Sequence, residues 1–305
     1  MLDSELLSRV SALQMCAHKL VWGYRFGLHR APRRDSGIEF FEHKTYAAGD
    51  ALKDIDWRVL ARRDQLLVRK QQADTDVAAI IAVDASGDMN VGSPPSFAEH
   101  QQSKLARAIV LAASMAAFLE RRGERVGLYI MGGNFAQGDG QRWLPPKSGK
   151  RHLAQIMREL SHLVGYGEAN LAQYLEALAP LAPKRSIVFV LSDLMEEPEH
   201  WGPALRALSI QNHQVRVVHH YSRVEWEFSD NAAAQFVSHE EDLTLPMDMR
   251  DVRKEFLDVL QEYRDQTTLW MHKSQAFYIP DPIEEPLIAS FFSMITGHHL
   301  SGAQL

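Results

Sequence analysis

The stretch VAAIIAVDASGDM (77–89) decides how the rest of the chain is read. An unbroken apolar run up to Asp84 does not suit a strand with one wet face, which would alternate apolar and polar residues. It predicts a central strand covered by helices on both faces, ending in a polar loop that starts at Asp84.

Downstream, the text repeats that unit. KLARAIVLAASMAAFLERRG (104–123) puts Leu105, Ala108, Ile109, Ala112, Met115 and Leu119 on one helical face and closes at Gly123. RVGLYIMGG (125–133) reads as a second strand, and QRWLPPK (141–147) as an edge strand, because its prolines cannot donate to a ladder. Helices at 152–163 and 170–178 precede RSIVFVLSD (185–193), another apolar strand that stops at an acid, Asp193. A helix from PEHWGPALRALSIQ, a strand at 214–221 and hairpin-like alternation over 224–246 come next. The long helix 249–274 is predicted to bury Val252, Phe256, Val259, Leu260, Tyr263 and Trp270, before a short strand AFYIP and a last helix EEPLIASFFSMI. Short strands alternating with longer helices predict a parallel α/β sheet over residues 77–305.

Upstream, residues 1–76 lack such a period: a helix near 3–22, a basic loop, then short strands and turns. They predict an N-terminal appendage, with too little periodic apolar surface for a core of its own.

Composition narrows the function classes. With 305 residues and 46% hydrophobic content the chain can bury a full core. The single cysteine, Cys16, excludes an internal disulfide, and the 14 histidines show no zinc-finger spacing. The N-terminus MLDSELLSRVSALQ has acids where a signal peptide needs basic residues, and 109–119 is too short to span a bilayer. A cytoplasmic protein is expected. The net charge of −6 is uneven: residues 1–76 carry 13 basic and 11 acidic groups, residues 77–305 carry 20 and 28. That bias runs against a nucleic-acid binder, although Arg25, Arg30, Arg33 and Arg34 form a local basic cluster.

Candidate chemistry gathers at the strand ends, where parallel sheets bind ligands. In DASGDM (84–89), Asp84, Ser86 and Asp88 alternate along the loop, an arrangement of hard oxygens that suits Mg²⁺ or Ca²⁺, with Asp193 joining through water. The same residues also serve as ordinary turn and cap formers. Templates for dinucleotide, P-loop, zinc-protease and serine-hydrolase sites are absent from the sequence. His219 and His220 alternate on a strand and are expected in the core, and the acidic run beside His239 is expected in solvent.

One further stretch, IEFFEHKTYAAGDALKDIDWRVLARR (38–63), carries Glu39, Phe40, Glu42, Tyr46, Gly49, Asp50, Ile55, Asp56, Trp57, Ala61 and Arg62. Read from its residues, Gly49 turns the chain, Asp50 caps a short helix and Asp56 pairs with Arg58 or Arg62. Together with the D-x-S strand end, it resembles the domain of unknown function 58 family. That resemblance implies a von Willebrand factor A-like (Rossmann-like), mostly parallel sheet flanked by helices. It also implies partnership with a MoxR-type AAA+ ATPase. It further implies a metal-ion-dependent adhesion site, for which Asp84, Ser86 and Asp193 match; Asp88 replaces a serine and Ala169 stands where a threonine belongs. Both a working site for Mg²⁺ or another divalent cation and a metal-free, degenerate one remain open from the sequence. The expected function is a non-enzymatic adaptor. The alternative is a Mg²⁺-dependent hydrolase built on Asp84, Asp88 and Asp193.

Overall fold

The computed structural model describes residues 4–27, 43–45, 67–69, 77–91, 103–135, 141–168, 170–223, 234–237, 244–247 and 249–297. Residues 1–31 and 77–305 form one compact unit, and residues 32–76 a second. In the second unit, β1 (His43–Thr45) pairs antiparallel with β2 (Leu67–Arg69).

The larger unit opens with α1 (Ser4–Gly27), then β3 (Ala78–Ala85), α2 (Lys104–Arg121), β4 (Arg125–Gly132) and β5 (Gln141–Lys147). It continues through α3 (Lys150–Ser161), α4 (Leu171–Leu178), β6 (Ile187–Ser192), α5 (Pro198–Ile210) and β7 (Gln214–Tyr221). The hairpin strands β8 (Ala234–Val237) and β9 (Thr244–Met247), α6 (Met249–Ser274), β10 (Phe277–Pro282) and α7 (Leu287–Thr296) complete it. Six strands form one sheet in the order β10-β7-β6-β3-β4-β5. All neighbours are parallel except β4 and β5, so the proline-bearing strand is indeed the antiparallel edge.

The apolar run on β3 does what its composition demands. Ala79, Ile81, Val83 and Ala85 enter a core with α1, α2, α3 and α7, while Ile80 and Ala82 enter a second core with α4, α5 and α6. Strand alternation sends neighbours to opposite faces, so only an apolar residue at every position satisfies two cores at once. Helix α2 is buried along nearly its whole circumference, capped by the Ser103 hydroxyl, which accepts from the Ala106 N–H at 3.2 Å. The first helix packs into the same core through Leu13, Ala17 and Val21.

One predicted face needs correction. Val259 on α6 is 65% exposed, whereas Thr267, Met271 and Ser274 are buried. The buried stripe runs through Tyr263, Thr267, Trp270, Met271 and Ser274, and at 100° per residue Val259 falls off its centre. Most of the motif over 38–63, Ala169, the His239 run and, of the basic cluster, Arg30, Arg33 and Arg34 lie outside the described residues. Among the described residues, no helix is long and apolar enough to cross a membrane.

Candidate functional site

From β3 the chain crosses through α2 to β4 on one side, while β6 lies on the other side of β3. Strand order therefore reverses between β3 and β6, and a crevice forms where their carboxyl ends diverge. Asp84 and Asp193 stand at that place, one at the end of each strand.

Asp84 is held by neutral donors. Its Oδ1 accepts from the Ser86 N–H at 2.9 Å, and its Oδ2 accepts from the Ser192 hydroxyl at 2.6 Å. Ser192 Oγ in turn accepts from the Leu194 N–H at 3.0 Å. Burial, aided by the charge of Asp193, pushes the Asp84 carboxyl up to about 7 against the opposing hydrogen bonds from Ser192 and Ser86.

Asp193 is only 2% exposed, and its Oδ2 accepts from Lys104 Nζ at 2.7 Å. Lys104, the first residue of α2, is 0% exposed. The turn beyond β6 is left-handed at one residue and tied down by side-chain hydrogen bonds. Leu194 adopts φ +53°, Tyr263 donates its hydroxyl to the Leu194 carbonyl, and the Glu196 carboxylate accepts from the Leu171 N–H. A leucine in the left-handed region is a local cost that surrounding contacts must hold in place.

Of the residues singled out from the sequence, Asp84, Ser86 and Asp193 come together here. Asp88 lies half-buried in the 3₁₀ turn Gly87–Asn90. Lys104 Nζ already pairs with Asp193 Oδ2, one of the two carboxylates that a divalent ion would have to share, while Asp193 Oδ1 and Ser86 Oγ are buried without a hydrogen-bond partner among the described residues. Among the described residues, no group of three or more His, Cys, Asp or Glu side chains is arranged to hold one.

A second charged cluster extends along the same edge. Asp281 at the end of β10 receives Arg107 Nε at 2.9 Å and Nη2 at 2.6 Å, with the Ser290 hydroxyl and His220 Nδ1 as further partners. Burial favours the neutral acid, but the charge and paired hydrogen bonds of Arg107 outweigh it and hold Asp281 well below the usual carboxylate range. His219, between the two clusters, bonds the Tyr278 hydroxyl at 2.7 Å; burial, with the charges of His220 and Lys104, lowers its pKa to about 3.

Sequence reasoning missed Lys104, Arg107, Ser192 and Asp281. The available signal was two cations three residues apart in the first turn of a helix otherwise too apolar to face solvent, opposite strands ending in acids.

Beside the crevice, residues 163–167 are strapped over the ends of β3 and β4. Tyr166 N–H donates to the Ala85 carbonyl at 2.9 Å, Gly133 N–H to the Tyr166 carbonyl at 3.1 Å, and Asn90 Nδ2 to the Gly165 carbonyl at 2.9 Å. A Cβ on Gly165 would meet the Ser86 carbonyl oxygen at 2.8 Å, a backbone atom that cannot swing aside, so this approach requires glycine. The strap leaves Val164 and Tyr166 exposed, and across the crevice the β6 turn leaves Met195 exposed, at 51%, 59% and 53%.

Residues 42–266 match the model of the family described as Protein of unknown function DUF58. The uncharacterized protein Rv1480 of Mycobacterium tuberculosis is 24% identical over 220 residues, which are 71% of this chain; the chain spans 65% of that relative's length. An aerotolerance-related membrane protein of Bacteroides fragilis, solved with multiple mutations to serine, aligns at TM-score 0.46 and 14% identity over 72% of this chain and 96% of its own. The SpRpn10 VWA domain aligns at TM-score 0.41 and 13% identity over 74% and 99%.

Proposed function

The chain belongs to the DUF58 family and has a von Willebrand factor A-like α/β fold, and on that basis we propose that it is a non-enzymatic adaptor docking through the carboxyl end of its sheet. Three exposed apolar side chains carry this reading: Val164, Tyr166 and Met195, on the loops that flank the β3–β6 crevice. Large apolar groups presented on rigidly tied loops suit protein contact better than small-molecule chemistry. Inside the crevice, by contrast, both oxygens of Asp84 and one of Asp193 are turned onto partners within the chain.

The partner implied by the family resemblance is a MoxR-type AAA+ ATPase, engaged in cytoplasmic protein-complex assembly or maturation. Affinity capture of the tagged full chain from its own cells, with Mg²⁺ and a slowly hydrolysed ATP analogue, tests this. We expect an AAA+ ATPase to be recovered by the native chain and lost by the double variant Tyr166→Ser, Met195→Ser, whose melting temperature is unchanged. Recovery of the same ATPase by both chains would move the contact elsewhere.

The alternative, a hydrolase, has one observation in its favour: Asp84 is pushed up to about 7 in a crevice, as general acids and bases often are. A phosphatase and nuclease screen with and without EDTA separates the two. Turnover abolished by Asp84→Asn would replace the adaptor reading.

A further inference from the structure

A fully buried lysine at the first position of a helix is doubly unfavourable. Its charge leaves water, and it faces the positive end of the helix dipole. Lys104 nevertheless sits there at 0% exposure, with its ammonium 2.7 Å from Asp193 Oδ2. Such a residue persists where the surrounding charges require a cation.

We propose that Lys104 takes the place of a divalent cation in this crevice, so that the domain closes its strand ends with its own ammonium and binds neither Mg²⁺ nor Mn²⁺ there. The donors match that assignment. A divalent ion seeks six or more oxygens, several of them anionic, whereas an ammonium has one charge and three N–H donors. In the crevice the ammonium meets the Asp193 carboxylate, while Asp84 is served by the neutral Ser86 N–H and Ser192 hydroxyl. The backbone is built for the pair as well: the left-handed Leu194 and the Tyr263 hydroxyl hold the turn that follows Asp193, and the Lys104 N–H donates to the Val91 carbonyl at 3.1 Å. A divalent ion ligated by Asp193 would share that carboxylate with a positive charge in contact with it.

One consequence bears on binding. A partner reaching these strand ends meets no exposed metal coordination position, so its recognition is expected to survive chelation. The assignment of Lys104 itself does not depend on the adaptor reading.

The test is a Mn²⁺ titration of the full chain followed by electron paramagnetic resonance, with Asp84→Asn as the control for ions bound elsewhere. The native chain is expected to bind no more Mn²⁺ than Asp84→Asn, and its melting temperature to rise no more with Mn²⁺ than with NaCl of equal ionic strength. Lys104→Gln, which removes the ammonium, is expected to gain saturable Mn²⁺ binding and a Mn²⁺-dependent rise in melting temperature. Saturable binding by the native chain that Asp84→Asn removes would overturn the proposal, as would a folded Lys104→Gln chain that gains none. Should Lys104→Gln fail to fold, the comparison of the native chain with Asp84→Asn decides alone.

Discussion

Arg107 and Asp281, 174 positions apart, meet in a two-pronged ion pair with contacts of 2.9 and 2.6 Å, and the same guanidinium also donates to the carbonyls of Ile283 and Glu285. One side chain thus ties the start of α2 to the end of the last strand and to the turn that leads into α7. Both charges are buried, so removing either strands the other. Asp281→Asn or Arg107→Met is expected to cost about 3–5 kcal/mol in urea unfolding. A loss under about 1 kcal/mol would mean that the pair is open to water.

The same pair is expected to set the acid limit of the fold. Because the folded pKa of Asp281 is depressed, its contribution is present above the unfolded value near 4 and is lost as the pH falls below it. Acid unfolding of Arg107→Met should therefore begin at higher pH than that of the native chain. Coincident acid transitions would assign the acid limit to other groups.

Between about pH 4 and 6.5, Asp84 and His219 act in opposite senses. Asp84, raised to about 7, keeps a proton in the fold that the unfolded chain releases, so its stabilisation is lost as the pH rises toward 7. His219, lowered to about 3, stays neutral in the fold while the unfolded chain takes up a proton, so its stabilisation is lost as the pH falls below 6.5. The two slopes offset in the native chain. Asp84→Asn should expose the histidine slope, with stability falling by about 1.4 kcal/mol per pH unit on acidification, and His219→Asn should expose the reverse slope. Urea unfolding at pH 4.5, 5.5 and 6.5 reads both; identical slopes in the two variants would show that neither group is shifted in the fold, and a flat profile in one variant alone would show that the group left in it titrates normally.

The strap over β3 and β4 should separate binding from stability. Asn90 reaches it through one bond to the Gly165 carbonyl, 2.9 Å long, from a partly buried position. Asn90→Ala is expected to cost about 1 kcal/mol in folding. If Val164 and Tyr166 form part of the contact, capture of the partner should fall more than that small loss explains. Unchanged capture would place the contact on the Met195 side.

The architecture was legible because burial on both faces leaves a mark in the sequence. A strand such as 77–84 must be apolar throughout, and the prolines of 141–147 admit only an edge. The strand-end aspartates were legible too, since a polar residue terminates each run. Lys104 was not, because a lysine at the start of a helix reads as a solvated charge until the strand ends facing it are known. Asp281 was hidden for a related reason: it follows a proline in FYIPDP, where an acid reads as a turn former. Val259 misled because α6 carries more apolar positions than its neighbours cover.

Gly202, inside α5, tests the packing of that same helix. A Cβ there would lie 2.2 Å from Trp270 Cδ2, so the indole rests directly on the α5 backbone, while the Lys273 ammonium lies 4.5 Å from the ring centroid. Alanine is the better helix former by about 1 kcal/mol, and on an exposed helix Gly202→Ala would stabilise. Here the clash must win, because the indole has no room to retreat without opening the contact between α5 and α6. A net destabilisation of about 1–3 kcal/mol is expected. Combining Gly202→Ala with Trp270→Leu should cost less than the sum of the two single changes, because the smaller side chain removes the obstacle that the new methyl meets. Strict additivity in urea unfolding would mean that the two helices do not pack through this pair.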